Sequence, residues 1–151
     1  ESISDIIFAY GDEKFSRQIA KKIVTSRKER KIKTTKDLVE IIEEAVPDWY
    51  KHRKIHFATR TFQALRMTVN DELKALKEGL QNSFERLEKN GRIAVISFHS
   101  LEDKIVKEYF RELKNEDMAL VLTKKPIQPE RSEVVENPRS RSAKLRIIEK
   151  I

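Results

Sequence analysis

The sequence contains no cysteine and only three glycines among its 151 residues. The lack of cysteine excludes a disulfide framework and any thiolate metal site, and it fits a reducing, cytoplasmic compartment. The three histidines are scattered along the chain, which argues against a zinc site, so we expect no metal. Scarce glycine combined with 38% charged residues favours a largely helical protein with a densely charged surface.

Long apolar runs are missing as well. No segment approaches the length of a membrane span, so we expect no membrane partner. The opening residues, Glu-Ser-Ile-Ser-Asp, match neither a signal peptide nor a natural start, and we expect the chain to be part of a longer protein. The net charge of +7 predicts a polyanionic partner, nucleic acid before membrane. A thermostable surface rich in lysine and glutamate accounts for the same composition equally well.

Residues 91–110 have the pattern of a strand, a polar turn and a helix. The β-branched residues between positions 92 and 96 predict a buried strand that ends at Ser97. Ser100 is followed by Asp103 three residues later, which is the spacing of a helix N-cap. A helix is therefore expected to begin at Ser100.

The turn between this strand and helix places two hydroxyls and an imidazole close together. If the strand is parallel to its neighbours, Ser97, His99 and Ser100 lie at the carboxyl end of the sheet, where open α/β sheets bind their ligands. His99 is the candidate catalytic residue, because helix capping does not require an imidazole. The alternative is that Ser100 and Asp103 only cap the helix, and that His99 is structural or solvated.

The first 58 residues predict a small helical bundle with N-caps at Ser2, Asp12 and Thr34. The loop at 27–33 is rich in cations, for which phosphate contact and simple solvation are equally good explanations. The segment 48–55 mixes aromatic rings with cations, as single-stranded RNA-binding proteins do. Packing of its tryptophan onto the bundle is the ordinary alternative.

Apolar residues then recur every three or four positions and predict one long helix over 59–90. Arg60, Gln63, Arg66 and Asn70 lie along a different face of its first turns. This is more hydrogen-bonding capacity than an exposed helix requires. These side chains are candidates for lining a cleft between the bundle and the sheet.

The end of the chain predicts two further strands, at 118–123 and 143–151. The segment 137–142, Asn-Pro-Arg-Ser-Arg-Ser, and the cations that follow it contain no acid. Such a basic loop is suited to phosphate contact near the mouth of the sheet, and a disordered basic loop is the alternative.

The chain resembles the MraW/RsmH family of S-adenosylmethionine-dependent methyltransferases in five segments that occur in the family's order. These are FAYGDEKFSRQIAKKI, TTKDLVEII, HFATRTFQALRMTVNDEL, GRIAVISFHSLEDKIVKEYF and NPRSRSAKLR. The resemblance covers nearly the whole chain. One departure is Phe57, where the family usually has proline.

The resemblance implies N4-methylation of a cytidine in small-subunit ribosomal RNA by an α/β enzyme, a class I Rossmann-like domain with an inserted helical bundle. The family's glycine-rich S-adenosylmethionine loop precedes the insertion, and no such loop follows a strand here. We therefore expect the C-terminal half of the enzyme, with the cofactor site in the other half. Residues 1–58 would be the inserted substrate-recognition domain, 59–90 a long connecting helix and 91–151 the C-terminal part of the methyltransferase domain.

Resemblance and charge together predict the functional residues. His99 is expected either to accept a proton from the target amine or to orient the base. The expected contacts to ribosomal RNA or the ribosomal subunit are Arg60, Gln63, Arg66, Ser97, Ser100, Asn137, Arg139, Arg141 and Lys144. A non-catalytic RNA-binding or assembly module is the alternative function, and a DNA-binding regulator is weaker because no helix-turn-helix emerges. The oligomeric state is left open, a homodimer included.

Overall fold

The computed structural model describes residues 2–151, which fall into two units, one ending at Glu72 and the other comprising Leu73–Ile151. The elements in chain order are α1 (Ile3–Gly11), α2 (Ser16–Glu29), α3 (Thr35–Ala45), α4 (Asp48–Lys51), α5 (Thr59–Val69), α6 (Glu72–Glu85), β1 (Arg92–Ser97), α7 (Ser100–Asn115), β2 (Ala119–Val121), α8 (Arg131–Glu136), a 3₁₀-helix (Pro138–Ser142) and β3 (Lys144–Lys150). The chain is thus a mixed α/β protein, as predicted.

The first unit is a helical bundle whose helices begin largely where the sequence predicts. Ser2 caps α1 and Thr34 caps α3, each in a reciprocal capping box with an aspartate three residues later. Asp12 differs from the prediction, because it adopts a left-handed φ of 48° and ends α1 instead of capping α2. The core of the unit consists of Ile7, Ile19, Ile23, Ile41, Ile42, Val46, Tyr50, Phe57 and Ala58.

Helices α1 and α5 of this bundle approach each other closely at Gly11. A Cβ atom added there would lie 2.6 Å from the carbonyl oxygen of Arg60 and 3.3 Å from the Cβ of Ala64. Only a residue without a side chain permits this separation. The glycine at the end of α1 therefore has a packing role, while Asp12 takes the left-handed conformation that ends the helix.

The single helix expected over 59–90 is interrupted, which corrects that prediction. The chain leaves the helix at Asn70, which has φ −95° and ψ 0°. Asp71 then takes a left-handed φ of 49°. Short polar side chains tolerate these backbone conformations better than β-branched ones. The hydrophobic spacing continues across the break, and for that reason periodicity alone does not reveal it.

The second unit contains a three-stranded antiparallel sheet in the order β1-β3-β2. The register runs from Arg92 opposite Glu149 to Ser97 opposite Lys144. We expected β1 to have parallel neighbours, and this is not what the chain shows. Among residues 2–151, β3 is the only strand paired with β1, and the pairing is antiparallel.

Helix α7 packs on one face of this sheet and, with α6, completes its core. The buried members are Leu80, Phe84, Val106, Phe110, Leu113, Ala119 and Ile148. Side chains that alternate with this set on the strands point away from it and are open to solvent, among them Ile96 and Leu120. One face of the sheet is therefore covered and the other exposes apolar side chains.

Across the part of the chain that the structure describes, no helix has both the length and the apolar composition needed to cross a membrane. In the same residues, no group of three or more histidine, aspartate and glutamate side chains is arranged to hold a metal ion.

Candidate functional site

The strand register brings two sequence-predicted segments to one end of the sheet. Ser97, the last residue of β1, is paired with Lys144, the first residue of β3. The Ser97 hydroxyl donates to the Lys144 carbonyl oxygen at 3.4 Å. The polar turn follows Ser97 directly, and the 3₁₀-helix Pro138–Ser142 lies just before Lys144. We call residues 97–100 and 137–144 together the sheet-end site.

His99, and not Ser100, is the N-cap of α7. The backbone N–H of Glu102 donates to His99 Nδ1 at 3.3 Å. In return, Glu102 Oε2 accepts from the backbone N–H groups of Phe98 at 2.8 Å and His99 at 3.3 Å. The expected capping pair of Ser100 and Asp103 is thus displaced by one residue, because an unprotonated imidazole nitrogen accepts a hydrogen bond as a serine hydroxyl does.

The hydrogen bond accepted by Nδ1 determines whether the other ring nitrogen, Nε2, is a donor or an acceptor. In the neutral ring an accepting Nδ1 leaves the proton on Nε2. His99 Nε2 is buried and has no hydrogen-bond partner among the described residues. The carboxylate oxygen Oε1 of Glu102 lies 3.2 Å away, but not in a direction that forms a hydrogen bond. The Nε2–H of His99 is therefore a buried donor without an acceptor, which costs about 1–3 kcal/mol.

Asp103, freed from capping, holds the site together from the first turn of α7. Its Oδ1 accepts from Arg146 Nε at 2.7 Å, and its Oδ2 accepts from Arg146 Nη2 and Lys144 Nζ, each at 3.2 Å. The hydrogen bonds from Arg146 are the main cause that lowers the pKa of Asp103, and Lys144 adds to them, although burial opposes the shift. Helix α7 is thereby tied to β3 by a buried, charge-assisted contact.

The basic segment before β3 is an ordered 3₁₀-helix. Ser140 is buried, and its hydroxyl donates to the Asn137 carbonyl oxygen at 2.9 Å. Arg139 and Arg141, on either side of it, are exposed. In residues 2–151 no carboxylate lies within 4.0 Å of either guanidinium. Two cations at the sheet end therefore have no acidic partner in the described part of the chain.

Three further candidates lie on α5, in the first unit. Arg60 Nη1 donates to the Asp12 carbonyl oxygen and lies 3.9 Å from its carboxylate. Arg66 forms a bidentate pair with Glu72 at 2.7 and 2.9 Å. Gln63 makes only a weak contact to the sulfur of Met67 at 3.9 Å. The two arginines are thus engaged inside their own unit.

The sequence interpretation missed the pair formed by Asp103 and Arg146. The two residues are 43 positions apart, and Arg146 alternates with apolar residues in β3, which is the pattern of a solvent-facing position. It is nevertheless only 7% exposed. Nothing in the local pattern signals this contact, because it depends on α7 crossing the sheet at that point.

Comparison with known proteins gives a match along the whole chain. The model described as the MraW methylase family matches residues 1–151. The ribosomal RNA small subunit methyltransferase H of Sulfurihydrogenibium sp. is 53% identical over 147 residues, which are 97% of this chain and 50% of that protein. The proteins of that name from Persephonella marina and Thermosipho melanesiensis are 52% and 53% identical, over 99% and 100% of this chain and 51% and 50% of their own length. The chain spans about half the length of the curated relatives it matches.

Proposed function

This chain belongs to the MraW methylase family, and on that premise we propose that it is the C-terminal half of an enzyme that methylates the N4 amine of a cytidine in small-subunit ribosomal RNA. The observation that carries the proposal is the family match over all 151 residues. The relatives are named as ribosomal RNA small subunit methyltransferases. S-adenosylmethionine is the methyl donor that this family implies.

We propose that the residues holding S-adenosylmethionine lie outside this chain. A glycine-rich turn after a strand is the usual cradle for such a cofactor. The three glycines here do not supply one: Gly11 ends α1, Gly79 lies inside α6 and Gly91 precedes β1. The chain therefore does not fit the cofactor by itself, and we assign it no step of the transfer that passes through the cofactor.

The sheet supports the proposal that β1, β2 and β3 are the end of a larger Rossmann-like sheet. In doubly wound folds both faces of the sheet are covered, and an antiparallel strand near one edge is common. Here one face bears α7 while Ile96 and Leu120 on the other are 57% and 51% exposed. We propose that the remaining strands pair with the open edge of β1. Residues 1–58 would then be an insertion, and 91–151 the last part of the methyltransferase domain.

The reaction requires positioning above all. The N4 lone pair of cytosine is delocalised into the ring, so the amine must be held in line with the methyl group and must lose a proton. In its capping tautomer His99 offers Nε2–H as a donor and not as an acceptor. Since Nε2 is also buried, we propose that His99 positions the turn of the sheet-end site and does not take the proton from N4.

Arg139 and Arg141 are the proposed phosphate contacts of the sheet-end site. Both are exposed at the end of the sheet and neither has an acidic partner in the described chain. Cations of this kind bind the RNA backbone through charge and hydrogen bonds without reading sequence. Lys144 and Arg66 are weaker candidates for phosphate contact, because each already pairs with a carboxylate.

The proposal is tested by methylation with the full-length protein that contains this chain. Small-subunit ribosomal RNA and small ribosomal subunits are incubated with methyl-labelled S-adenosylmethionine and digested to nucleosides. We expect the label on N4-methylcytidine. Label on another nucleoside would overturn the N4 assignment. RNA binding without any label would favour the alternative, a non-catalytic RNA-binding or assembly module.

The role of the two arginines is tested in the same protein by Arg139→Ala combined with Arg141→Ala. We expect weaker RNA binding. The slope of the logarithm of the binding constant against the logarithm of the salt concentration should shrink in magnitude by roughly 1.4, about 0.7 for each phosphate that the protein no longer neutralises. Lys74→Ala combined with Lys89→Ala removes two exposed cations elsewhere in the second unit and serves as the control. A slope equal to that of the control would reject the phosphate role.

A further inference from the structure

The first unit contains a second basic feature, which the proposed function does not use. A cavity of about 150 Å³ is lined by Tyr50, Arg53, Lys54, Ile55, His56 and Arg60. It lies where the chain passes from α4 to α5. Three of the lining side chains are cations and none is acidic. We call these six residues the α4–α5 cavity.

Two of these cations have no acid to pair with among the described residues. In the part of the chain that the structure describes, no carboxylate lies within 4.0 Å of Arg53 or Lys54. The guanidinium carbon of Arg53 lies 5.5 Å from the centre of the Tyr50 ring. Arg60 differs, since its bond to the Asp12 carbonyl oxygen holds it in place. The cavity thus combines one anchored cation with two that lack a counter-charge.

The histidine of the cavity adds another donor. His56 Nδ1 accepts from the backbone N–H of Ala58 at 3.3 Å, so the neutral ring carries its proton on Nε2. The ring is stacked on Phe57 with the ring centres 4.3 Å apart. Its orientation is therefore fixed from two sides. The charged and imidazole side chains of this cavity offer donors, as the binding of an anion requires.

A buried carboxylate lies close by but does not neutralise this charge. Glu13 is fully buried and accepts from the Tyr50 hydroxyl at 2.6 Å and from the Phe15 N–H at 2.9 Å. Burial is the main cause that raises the pKa of Tyr50 to about 12, and the bond to Glu13 adds to it. The hydroxyl therefore stays a donor to Glu13. Together with the Asp12 carboxylate, which lies 3.9 Å from Arg60, Glu13 makes two acids against the three cations Arg53, Lys54 and Arg60, so positive charge remains in excess.

We infer that the α4–α5 cavity binds a phosphate group of the RNA backbone. The volume of about 150 Å³ is below the roughly 300–1,000 Å³ of pockets that enclose drug-sized ligands. It therefore suits one phosphate and not a whole nucleotide. Guanidinium groups match the geometry of phosphate oxygens with paired N–H donors. The inference rests on the proposed function only in taking RNA as the source of the phosphate.

Trp49 provides a built-in reporter for this cavity. It is the single tryptophan of the chain and is 56% exposed. Its ring stands edge-on to Tyr50, with the ring centres 5.7 Å apart. Since Tyr50 lines the cavity, we expect the fluorescence of Trp49 to change when a phosphate binds there.

The test measures binding of a labelled single-stranded RNA oligonucleotide to the full-length protein that contains this chain, over a range of salt concentrations, by the fluorescence anisotropy of the RNA with Trp49 emission as a second readout. The variant is Arg53→Ala combined with Lys54→Ala, and the control is Lys74→Ala combined with Lys89→Ala. At about 0.15 M salt we expect the variant to bind RNA roughly tenfold more weakly. The slope of its log binding constant against log salt concentration should shrink in magnitude by roughly 1.4. The control should stay close to the parent protein. Arg53→Lys combined with Lys54→Ala keeps one of the two charges and should bind RNA more tightly than the double alanine variant.

Folding does not obscure this comparison, because Arg53 and Lys54 are exposed and, within residues 2–151, make no ion pair that their removal would break. Thermal unfolding midpoints of parent and variant should therefore agree. A variant with the slope of the control would overturn the inference, and so would a parent protein that binds no RNA. Inorganic phosphate is titrated in parallel. Loss of phosphate binding with unchanged RNA binding would identify a free-anion site and reject RNA as the source. None of these results alters the position of the label in the methylation assay, so the two proposals fail separately.

Discussion

His99 caps α7 with one ring nitrogen, and its other ring nitrogen is buried without a hydrogen-bond partner among the described residues. A serine or an asparagine at this position would cap the helix equally well. The imidazole therefore adds something that capping alone does not require, namely a donor held at the sheet end. Its two roles are separable by substitution.

We predict that His99→Ala lowers the free energy of unfolding by about 1 kcal/mol, because the cap is lost, whereas His99→Asn changes it by less than about 0.5 kcal/mol. In the full-length protein both variants should lose methylation activity, since both lack the imidazole. Chemical denaturation and the methylation assay measure the two effects. Full activity of the asparagine variant would reduce His99 to a capping residue.

Asp103 predicts a pH dependence of stability at the same site. Arg146 and Lys144 hold its pKa below the ordinary value, so its contribution is present above the pKa of about 3.9 in the unfolded chain. The contribution is lost as the pH falls through the lower pKa of the folded chain. Near neutral pH, Asp103→Asn should cost about 3 kcal/mol, because it leaves Arg146 buried without its partner.

Denaturation of parent and Asp103→Asn between about pH 7 and pH 2 measures this dependence. The difference in unfolding free energy should narrow below about pH 4, where the aspartate becomes neutral like asparagine. A difference that stays constant over the whole range would contradict the pairing of Asp103 with Arg146.

At the level of elements, the contact between α1 and α5 depends on the absence of a side chain. The carbonyl oxygen of Arg60 lies only 2.6 Å from the position that a Cβ of residue 11 would take. Arg60 also lines the α4–α5 cavity, and its side chain donates to the carbonyl oxygen of Asp12, the residue after Gly11. A change in helix packing at Gly11 should therefore reach the proposed phosphate site.

We predict that Gly11→Ala and Gly79→Ala have opposite effects on stability. Gly79 lies inside α6, and a Cβ there meets no atom within 4 Å, so alanine should stabilise by about 0.5–1 kcal/mol. Gly11→Ala should destabilise by about 1–3 kcal/mol, because the added methyl overlaps a backbone oxygen. Unfolding midpoints of the two variants test this pair. Equal effects would show that the approach of α1 to α5 is not tight.

The edge of β1 that does not face β3 is unpaired in the described part of the chain. Among the described residues β1 pairs on one side only, and Ile96 and Phe98 near its end are 57% and 54% exposed. Unpaired edges and bare apolar faces favour association with further strands. This agrees with the proposal that the sheet continues in the part of the relatives that this chain does not span.

At the scale of the whole molecule, the proposal that the cofactor-binding residues lie outside this chain predicts a difference in cofactor affinity between the chain and the full-length protein. The 151-residue chain alone should bind S-adenosylmethionine negligibly, because none of its glycines forms a turn after a strand. The full-length protein should bind it. Equilibrium dialysis with labelled S-adenosylmethionine compares the two. Cofactor affinity of the isolated chain close to that of the full-length protein would overturn the assignment of the site to the other half.

Much of the local structure followed from the sequence, because short-range spacing controls it. Ser2 and Thr34 begin helices through contacts three residues away, and the strand over Arg92–Ser97 and the helix from Ser100 appear where their patterns predict. The break at Asp71 did not follow, since a left-handed residue leaves the apolar spacing unchanged. The cap at His99 did not follow either, because serine, threonine, aspartate and asparagine are the residues that an N-cap prefers, and Ser100 is the adjacent residue of that kind.

The sequence by itself determined the family, the three strands and the positive charge at both proposed RNA-binding sites. It also predicted most of the longer helices, but not α4, α8 or the break that separates α5 from α6. The tertiary structure alone decided the antiparallel partner of β1, the burial of Arg146 against Asp103 and the grouping of Arg53, Lys54 and Arg60 around one cavity. Spacing along the chain encodes contacts within a few residues. Pairing across tens of residues depends on how whole elements cross, and no single segment carries that information.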